Sequence, residues 1–276
     1  MHKPEIAIAL SKFELFAGWK PLKDIEALCK LKPLECFVPS SSAEFTDETL
    51  RQVCKAMLKA SPSTVASTIK ELQSIPESQF GPDPYIAGLL DHLNKQYTEC
   101  DNGNLVAAVL MNYMILGPGD SVWVPADSIH AYLEGDIVEC MARSDNVINT
   151  GFCPVPDRDS VDLFAQALSF VPHSSTEALL PRQKSDKGMN GKTDVYAPPT
   201  SEFNVLATCI GSGETEVHKA ILGPSLMIVT KGCGDMKVPG DQTFSLKEGY
   251  VFFIGQGVAI DFATERGIAI YRAYTE

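Results

Sequence analysis

The chain is predicted to be mainly β with a helical lobe, and three observations carry that reading. Between residues 21 and 97 four segments space their apolar residues by three and four: PLKDIEALCK, TDETLRQVCKAMLKA, SPSTVASTIKELQS and PYIAGLLDHLNKQY. The last third is a series of short β-type runs, EFNVLATCIG, SLMIVTKG, TFSLKEGYVFFIG, AIDFAT and IAIYRAYTE, parted by glycine or charged turns. A strand-like EIAIAL near the start and a glycine-punctuated stretch from Leu116 to Ala142 place further β structure on either side of the helical part.

Taken in order, EIAIAL reads as a strand because its apolar run is short and ends in a turn. Thr46, followed by Glu48 and Thr49, and Ser61, followed by Pro62, have the chemistry of helix starts: a side-chain oxygen for the orphan amides, and a ring pre-set to helical φ. Pro39–Ser42 and PESQFGPDP are loops between helices. LVAAVLMNYMIL, from Leu105, fits a buried strand or a helix, and periodicity does not choose between them. Residues 156–200 are weakly patterned, and PHSSTEALLPRQKSDKGMNGK reads as an exposed connection.

Composition bounds the function. With 45% apolar and 21% charged residues the chain is an ordinary globular sequence. A net charge of −12 speaks against nucleic acid, whose backbone needs a Lys/Arg-rich surface, yet leaves room for a small phosphorylated ligand held by two or three local cations. No apolar run approaches the ~20 residues of a membrane span, and the start has no signal-peptide pattern, so the expected address is cytoplasmic. The cysteines at 29, 36, 54, 100, 140, 153, 209 and 233 contain no C-x-x-C pair and suit free thiols in a reducing compartment.

One spacing carries chemistry. GDSVWVPADSIH sets Gly119, Pro125 and His130 at the positions of the cupin pattern G-x5-P-x-G-x2-H, with Asp127 at the second glycine. That pattern turns the chain, stiffens a strand edge and aims a histidine into a barrel; a histidine at a strand end by chance is the simpler alternative. GYVFFIGQGVAI is a decayed copy in which Gly249, Gly255 and Gly257 keep the turns and Ile260 takes the histidine position. The expected architecture is therefore bicupin-like, two jelly-roll barrels, the first of them incomplete by the family resemblance that HKPE and the SDN block carry. Its parts are a first-barrel remnant (1–20), a helical domain (21–100), the metal-site half of the barrel (101–155), a connection (156–200) and a C-terminal β domain without metal ligands (201–276).

A zinc site needs three or four N, O or S donors. Of the five histidines, His92 lies on a helical pattern, His173 and His218 fall in polar loops that read as solvated, and His2 is terminal. Glu5, heading a strand beside Lys3, is the best carboxylate candidate, although on spacing alone a solvated terminal acid is the favoured reading.

HKPE before an apolar strand, PADSIHAYLEGDIVECMARSDN, GPSLMIVTKG, KEGYVFFIG and the terminal YRAY together resemble the type I, zinc-dependent mannose-6-phosphate isomerases along the whole chain. The resemblance implies two jelly-roll domains with a helical domain. It also implies interconversion of mannose 6-phosphate and fructose 6-phosphate through an enediol, supplying mannose for GDP-mannose. It matches Glu5 and His130 to two of four zinc ligands, Lys3 to an active-site lysine, Tyr132 and Asp145 to substrate-pocket residues, and Glu139 to a supporting position. The phosphorylated hexose is the implied partner, and zinc the implied cofactor.

The sequence departs from that family in two respects. The Gln-x-His pair that supplies the other two zinc ligands precedes HKPE in the family, and no Gln-x-His occurs in these 276 residues. This leads to the expectation of a chain shortened at its N-terminus. The family arginine after SDN is replaced by Asn149, and Val155, after Cys153 and Pro154, stands where a lysine is usual. A neutral amide cannot replace a guanidinium's charge-assisted bonds, so weak or absent turnover is expected. A missing upstream exon, a sugar-phosphate-binding pseudoenzyme and an altered sugar specificity are the competing explanations.

Overall fold

The computed structural model describes residues 3–40, 44–144 and 147–276. Strands β1 (Glu5–Ala9) and β2 (Phe13–Trp19) lead into helices α1 (Leu22–Cys29), α2 (Asp47–Leu58), α3 (Pro62–Gln73), α4 (Ile86–Gln96) and α5 (Asn102–Leu110). The Thr46 hydroxyl accepts the Thr49 amide and is answered by the Thr49 side chain on its own amide, so both ends of the capping box are present. Ser61 caps α3, with Pro62 at its first position.

The undecided apolar run turns out to be both structures in succession. Its alanine-rich part completes α5, and Met111 begins strand β3 (Met111–Leu116). The switch falls where partners change: the Leu110 carbonyl accepts the Lys20 amide, and Met111 pairs with Trp19 on β2. Ala107 and Ala108 suit a helix, whereas Tyr113 and Ile115 suit a pleat.

Strands β4 (Ser121–Val124), β5 (His130–Glu134) and β6 (Ile137–Met141) complete two three-stranded sheets, in the orders β4-β1-β6 and β3-β2-β5. Ala7, Ala9, Val122 and Val124 from the first sheet pack against Phe13, Leu15, Ala17, Met114 and Leu116 from the second. The opposite face of the second sheet carries Phe16 and Trp19 into the core of the helical lobe. The opposite face of the first, Ile6 and Ile8 with Trp123, packs on the C-terminal sheet. Both sheets are thus covered on both sides, which is why β1 and β2 are buried throughout.

After the short helix α6 (Val161–Ala167), the C-terminal part comprises β7 (Gln183–Lys184), β8 (Thr193–Tyr196), β9 (Asn204–Ile210), β10 (Thr215–His218), β11 (Ser225–Val238), β12 (Gln242–Lys247), β13 (Val251–Ile254), β14 (Ile260–Ala263) and β15 (Ile268–Tyr274). The 14-residue β11 pairs with β13 and β15 along its first half and with β12 and β14 along its second, curling one sheet into a half-barrel. Gly249 and Gly257 turn the chain at φ +84° and +75°. Ile260 is fully buried, its backbone paired with His218.

Two histidines differ from the sequence expectation. His218 is not a solvated loop residue but a wholly buried member of β10. His173 is half-buried, its ring filling the space above Gly18, where no Cβ fits. The first departure arises because a short strand with polar inward residues reads as a loop when only its composition is visible; His173 does lie in a loop, and packing on Gly18 is what shields it.

Candidate active site

Register explains how Glu5 and His130 meet. Glu5 lies opposite Val124 on β4, so it shares the inner face with Ala7 and Val122. His130 lies opposite Ala17 and Tyr132 opposite Leu15, which places both on the inner face of the other sheet. The two side chains therefore converge from facing sheets: Nε2 of His130 is 3.3 Å from Oε2 of Glu5. Lys3 Nζ holds the other carboxylate oxygen at 2.8 Å. Ala7 pairs with Glu139 on β6, so Glu139 is the diagonal neighbour of Glu5 on the same face.

The cupin-type turn before His130 keeps its backbone despite its altered residue. Asp127, at the second glycine position, adopts φ +62°, the left-handed region a glycine would supply and aspartate tolerates better than most residues. The Ser128 carbonyl lies 3.1 Å from His130 Nδ1, fixing the ring's orientation.

Burial of the Glu5 carboxyl would raise its pKa, but hydrogen bonds and charge from His130 and Lys3 outweigh that and hold it well below the usual carboxylate range. Burial alone would depress His130; the Glu5 carboxylate and the Ser128 carbonyl reverse this and raise it. Glu139 is pushed up, first by the protein crowding its carboxyl and then by the charge of Glu5, although the residue keeps an accessible edge. The Tyr132 ring packs against Phe13 and His130 at 5.3 and 5.6 Å. Its hydroxyl is buried with no hydrogen bond of ordinary geometry among the described residues, and burial together with the charges of Glu139 and Glu5 raises the phenol's pKa.

Lys3, Glu5, His130 and Asn149 all wall one cleft of about 190 Å³, closed on its far side by apolar residues including Ile148 and Phe164. Tyr132 is placed behind His130 rather than on this wall. Asp145 lies outside the described residues. Val155 is 73% exposed, in a turn away from the cleft. The sequence reading missed the Ser128 carbonyl, and missed the apolar wall from α6, for which the sequence carries no signal.

The donor chemistry can be tested against a zinc ion. Two ligands on one tetrahedral zinc, each ~2.0–2.1 Å from the metal, stand about 3.3 Å apart, which is the Glu5–His130 separation. A backbone carbonyl on the second ring nitrogen is the usual support of a metal-bound histidine. The pair fits as part of a zinc site. Among the described residues no group of three or more His, Cys, Asp or Glu side chains is gathered to hold a metal ion.

Fold and cleft together define a class of β-barrel proteins that bring a carboxylate, a histidine and a lysine together at one cleft between facing sheets. The structure matches a phosphomannose isomerase variant from Salmonella typhimurium with a TM-score of 0.79 at 22% identity, over 99% of this chain and 67% of that one. A zinc-bound mannose 6-phosphate isomerase gives 0.80 at 22%, over 100% and 66%. In sequence, mannose-6-phosphate isomerases from Ogataea parapolymorpha and Saccharomyces cerevisiae are each 32% identical, and that from Schizosaccharomyces pombe 30%. All three align over 100% of this chain and over 68%, 69% and 70% of their own lengths respectively. The chain belongs to the mannose-6-phosphate isomerase family. No family model matches it.

Proposed function

We propose that the cleft binds mannose 6-phosphate with zinc, and that it supports its isomerisation to fructose 6-phosphate only weakly in this chain. The observation that carries the reading is the convergence of Lys3, Glu5 and His130 from two facing sheets onto one cleft whose wall carries Asn149.

Glu5 and His130 would hold the zinc, with further donors from outside this pair. When bound, zinc supplies Lewis-acid stabilisation of the negative charge that develops beside a carbonyl as a carbon-bound proton leaves. Lys3 is placed to donate to a sugar oxygen as that charge grows, while its contact with Glu5 keeps the ammonium on the cleft wall. Asp145 and Tyr132 belong to the proposed substrate pocket, Tyr132 through its packing on His130 and Asp145 through its place in the SDN segment. Glu139, beside Glu5, supports the carboxylate's setting. Asn149 offers the substrate a neutral amide, and losing a charged donor at a developing anion costs on the order of 10²–10³ in rate. The product would feed GDP-mannose synthesis in the cytoplasm, a reading supported by eight free cysteines.

A second reading, a sugar-phosphate-binding family member without turnover, is favoured by the same Asn149. A coupled assay and calorimetry on the zinc-loaded 276-residue chain separate the two. Binding with slow turnover that Asn149→Arg raises supports the first; binding that stays silent in both proteins supports the second. A chain that binds no mannose 6-phosphate overturns both.

A further inference from the structure

Asn149 reaches the cleft on a segment that is tied down at several points, most of them on residues that do not line the cleft. Asp101, 4% exposed, caps α5 by accepting the Gly103 amide at 2.8 Å. The same carboxylate accepts the Phe152 amide at 3.2 Å and Arg158 Nη2 at 2.9 Å. Arg158 then returns to its own segment through Nε on the Cys153 carbonyl, at 3.2 Å, and reaches Asn102 Oδ1 at 3.3 Å. Asn102 in turn donates to the Met57 and Ala60 carbonyls at the end of α2. One guanidinium thus links the loop to two helices.

The backbone inside this clasp is held in an unusual shape. Phe152 sits at φ +58°, a region bulky residues rarely occupy and keep only when their surroundings over-determine it. Its ring packs on Tyr97 at 4.6 Å, and its amide is the one Asp101 accepts. A Cβ on Gly151 would come within 2.7 Å of Gly103 Cα, so the loop lies directly on α5. The far end is closed by Asn149 itself: its amide donates to Asp159 Oδ2 at 2.8 Å and its carbonyl accepts the Asp159 amide at 2.7 Å.

We propose that Arg158 and Asp101 are positioning residues that hold the 149–159 loop so that Asn149 faces the cleft beside His130; this rests on the cleft being the sugar-phosphate site. Neither residue lines the cleft. Their effect runs through the loop backbone, whereas Glu5 and His130 stand on strands the clasp does not reach. Rigid strands supply the metal donors and a clamped loop supplies the substrate-facing amide, so the two contributions can be disturbed separately.

The test compares the zinc-loaded full chain with Arg158→Met and Arg158→Lys. Hydrogen exchange should show the Asn149 and Phe152 amides losing protection by roughly tenfold or more in Arg158→Met, with β1 and β5 unchanged. Mannose 6-phosphate affinity should fall by roughly tenfold, zinc affinity should hold, and Arg158→Lys should recover part of both losses. Unchanged loop exchange, exchange raised equally in β1 and β5, or loop release without any change in sugar affinity would each overturn the proposal. If the unaltered chain binds no sugar phosphate, the functional reading falls and the exchange pattern alone decides whether the clasp positions Asn149.

Discussion

The C-terminal barrel contains a buried polar chain whose protonation can be followed by stability alone. Arg272 Nη1 lies 3.5 Å from His218 Nδ1, and its Nε donates to the Ser225 hydroxyl at 2.9 Å. His218 Nε2 is 2.9 Å from Thr208 Oγ1, which is 3.1 Å from Thr193 Oγ1, which donates to Glu216 Oε2 at 3.0 Å. Only one direction satisfies every link: Arg272 donates to His218 Nδ1, the ring's proton sits on Nε2, and both hydroxyls pass the donation on to the carboxylate. A second proton on the ring would set an imidazolium N–H against the guanidinium. Burial, then the charge of Arg272, depress His218 from 6.5 to about 3, and Glu216 opposes them only partly. The unfolded chain therefore takes up the proton first, and stability rises with pH across this window. At about 1.4 kcal/mol per pH unit the contribution is about 5 kcal/mol. It is fully present above pH 6.5 and lost as pH falls towards 3; about 2 kcal/mol of it has gone by pH 5. Urea titrations of the chain and of His218→Gln between pH 7.5 and 5 measure it, because carboxylate contributions cancel in the difference. The pH-dependent loss should shrink by about 2 kcal/mol in the variant. Parallel losses in the two proteins would refute a neutral His218.

Gly135→Ala should destabilise by about 2–4 kcal/mol in urea, since at φ +122° its Cβ would strike the Lys12 carbonyl and lie 2.8 Å from Phe13 Cα. Gly240→Ala, at φ +86° with open space around it, should lose only about 1 kcal/mol. Lys20, buried with Nζ 3.2 Å from Asp83 and 3.1 Å from the Ala108 carbonyl, ties β2 to the helical lobe. Lys20→Met should cost about 3–5 kcal/mol by stranding Asp83, and adding Asp83→Leu should recover much of it. Equilibrium dialysis should show zinc affinity at least roughly tenfold weaker in Glu5→Gln and His130→Ala, with His92→Gln unchanged.

Much of the fold was legible because each helix carried its own punctuation. Thr46 and Ser61 announced α2 and α3 through local hydrogen bonds that need no distant partner. The α5–β3 switch was not legible, because what ends the helix at Leu110 is pairing with Trp19, more than ninety positions earlier in the chain. His130 was readable from a turn spacing, and Asp127 shows why the spacing survived a substitution: the turn requires a conformation, which more than one residue can adopt. Glu5 was ambiguous as a lone terminal acid. Only the register of β1 against β4 and β6 turns it inward, and register is a property of pairs of strands. The Asp101–Arg158 clasp joins positions 57 residues apart and left no local mark.

The same contrast bears on how far each part of this site tolerates substitution. Glu5 is fixed by a strand buried on both faces, and His130 by a strand paired to the equally buried β2, so a change of residue there disturbs packed core. Asn149 sits on a loop whose shape is set by Asp101, Arg158, Gly103 and Gly151, so its side chain can change without the backbone moving. If Asn149 takes the place of a family arginine, as proposed above, that exchange leaves the form of the cleft unchanged. On that proposal what the exchange removes is a charge, so Asn149→Arg should alter turnover far more than folding.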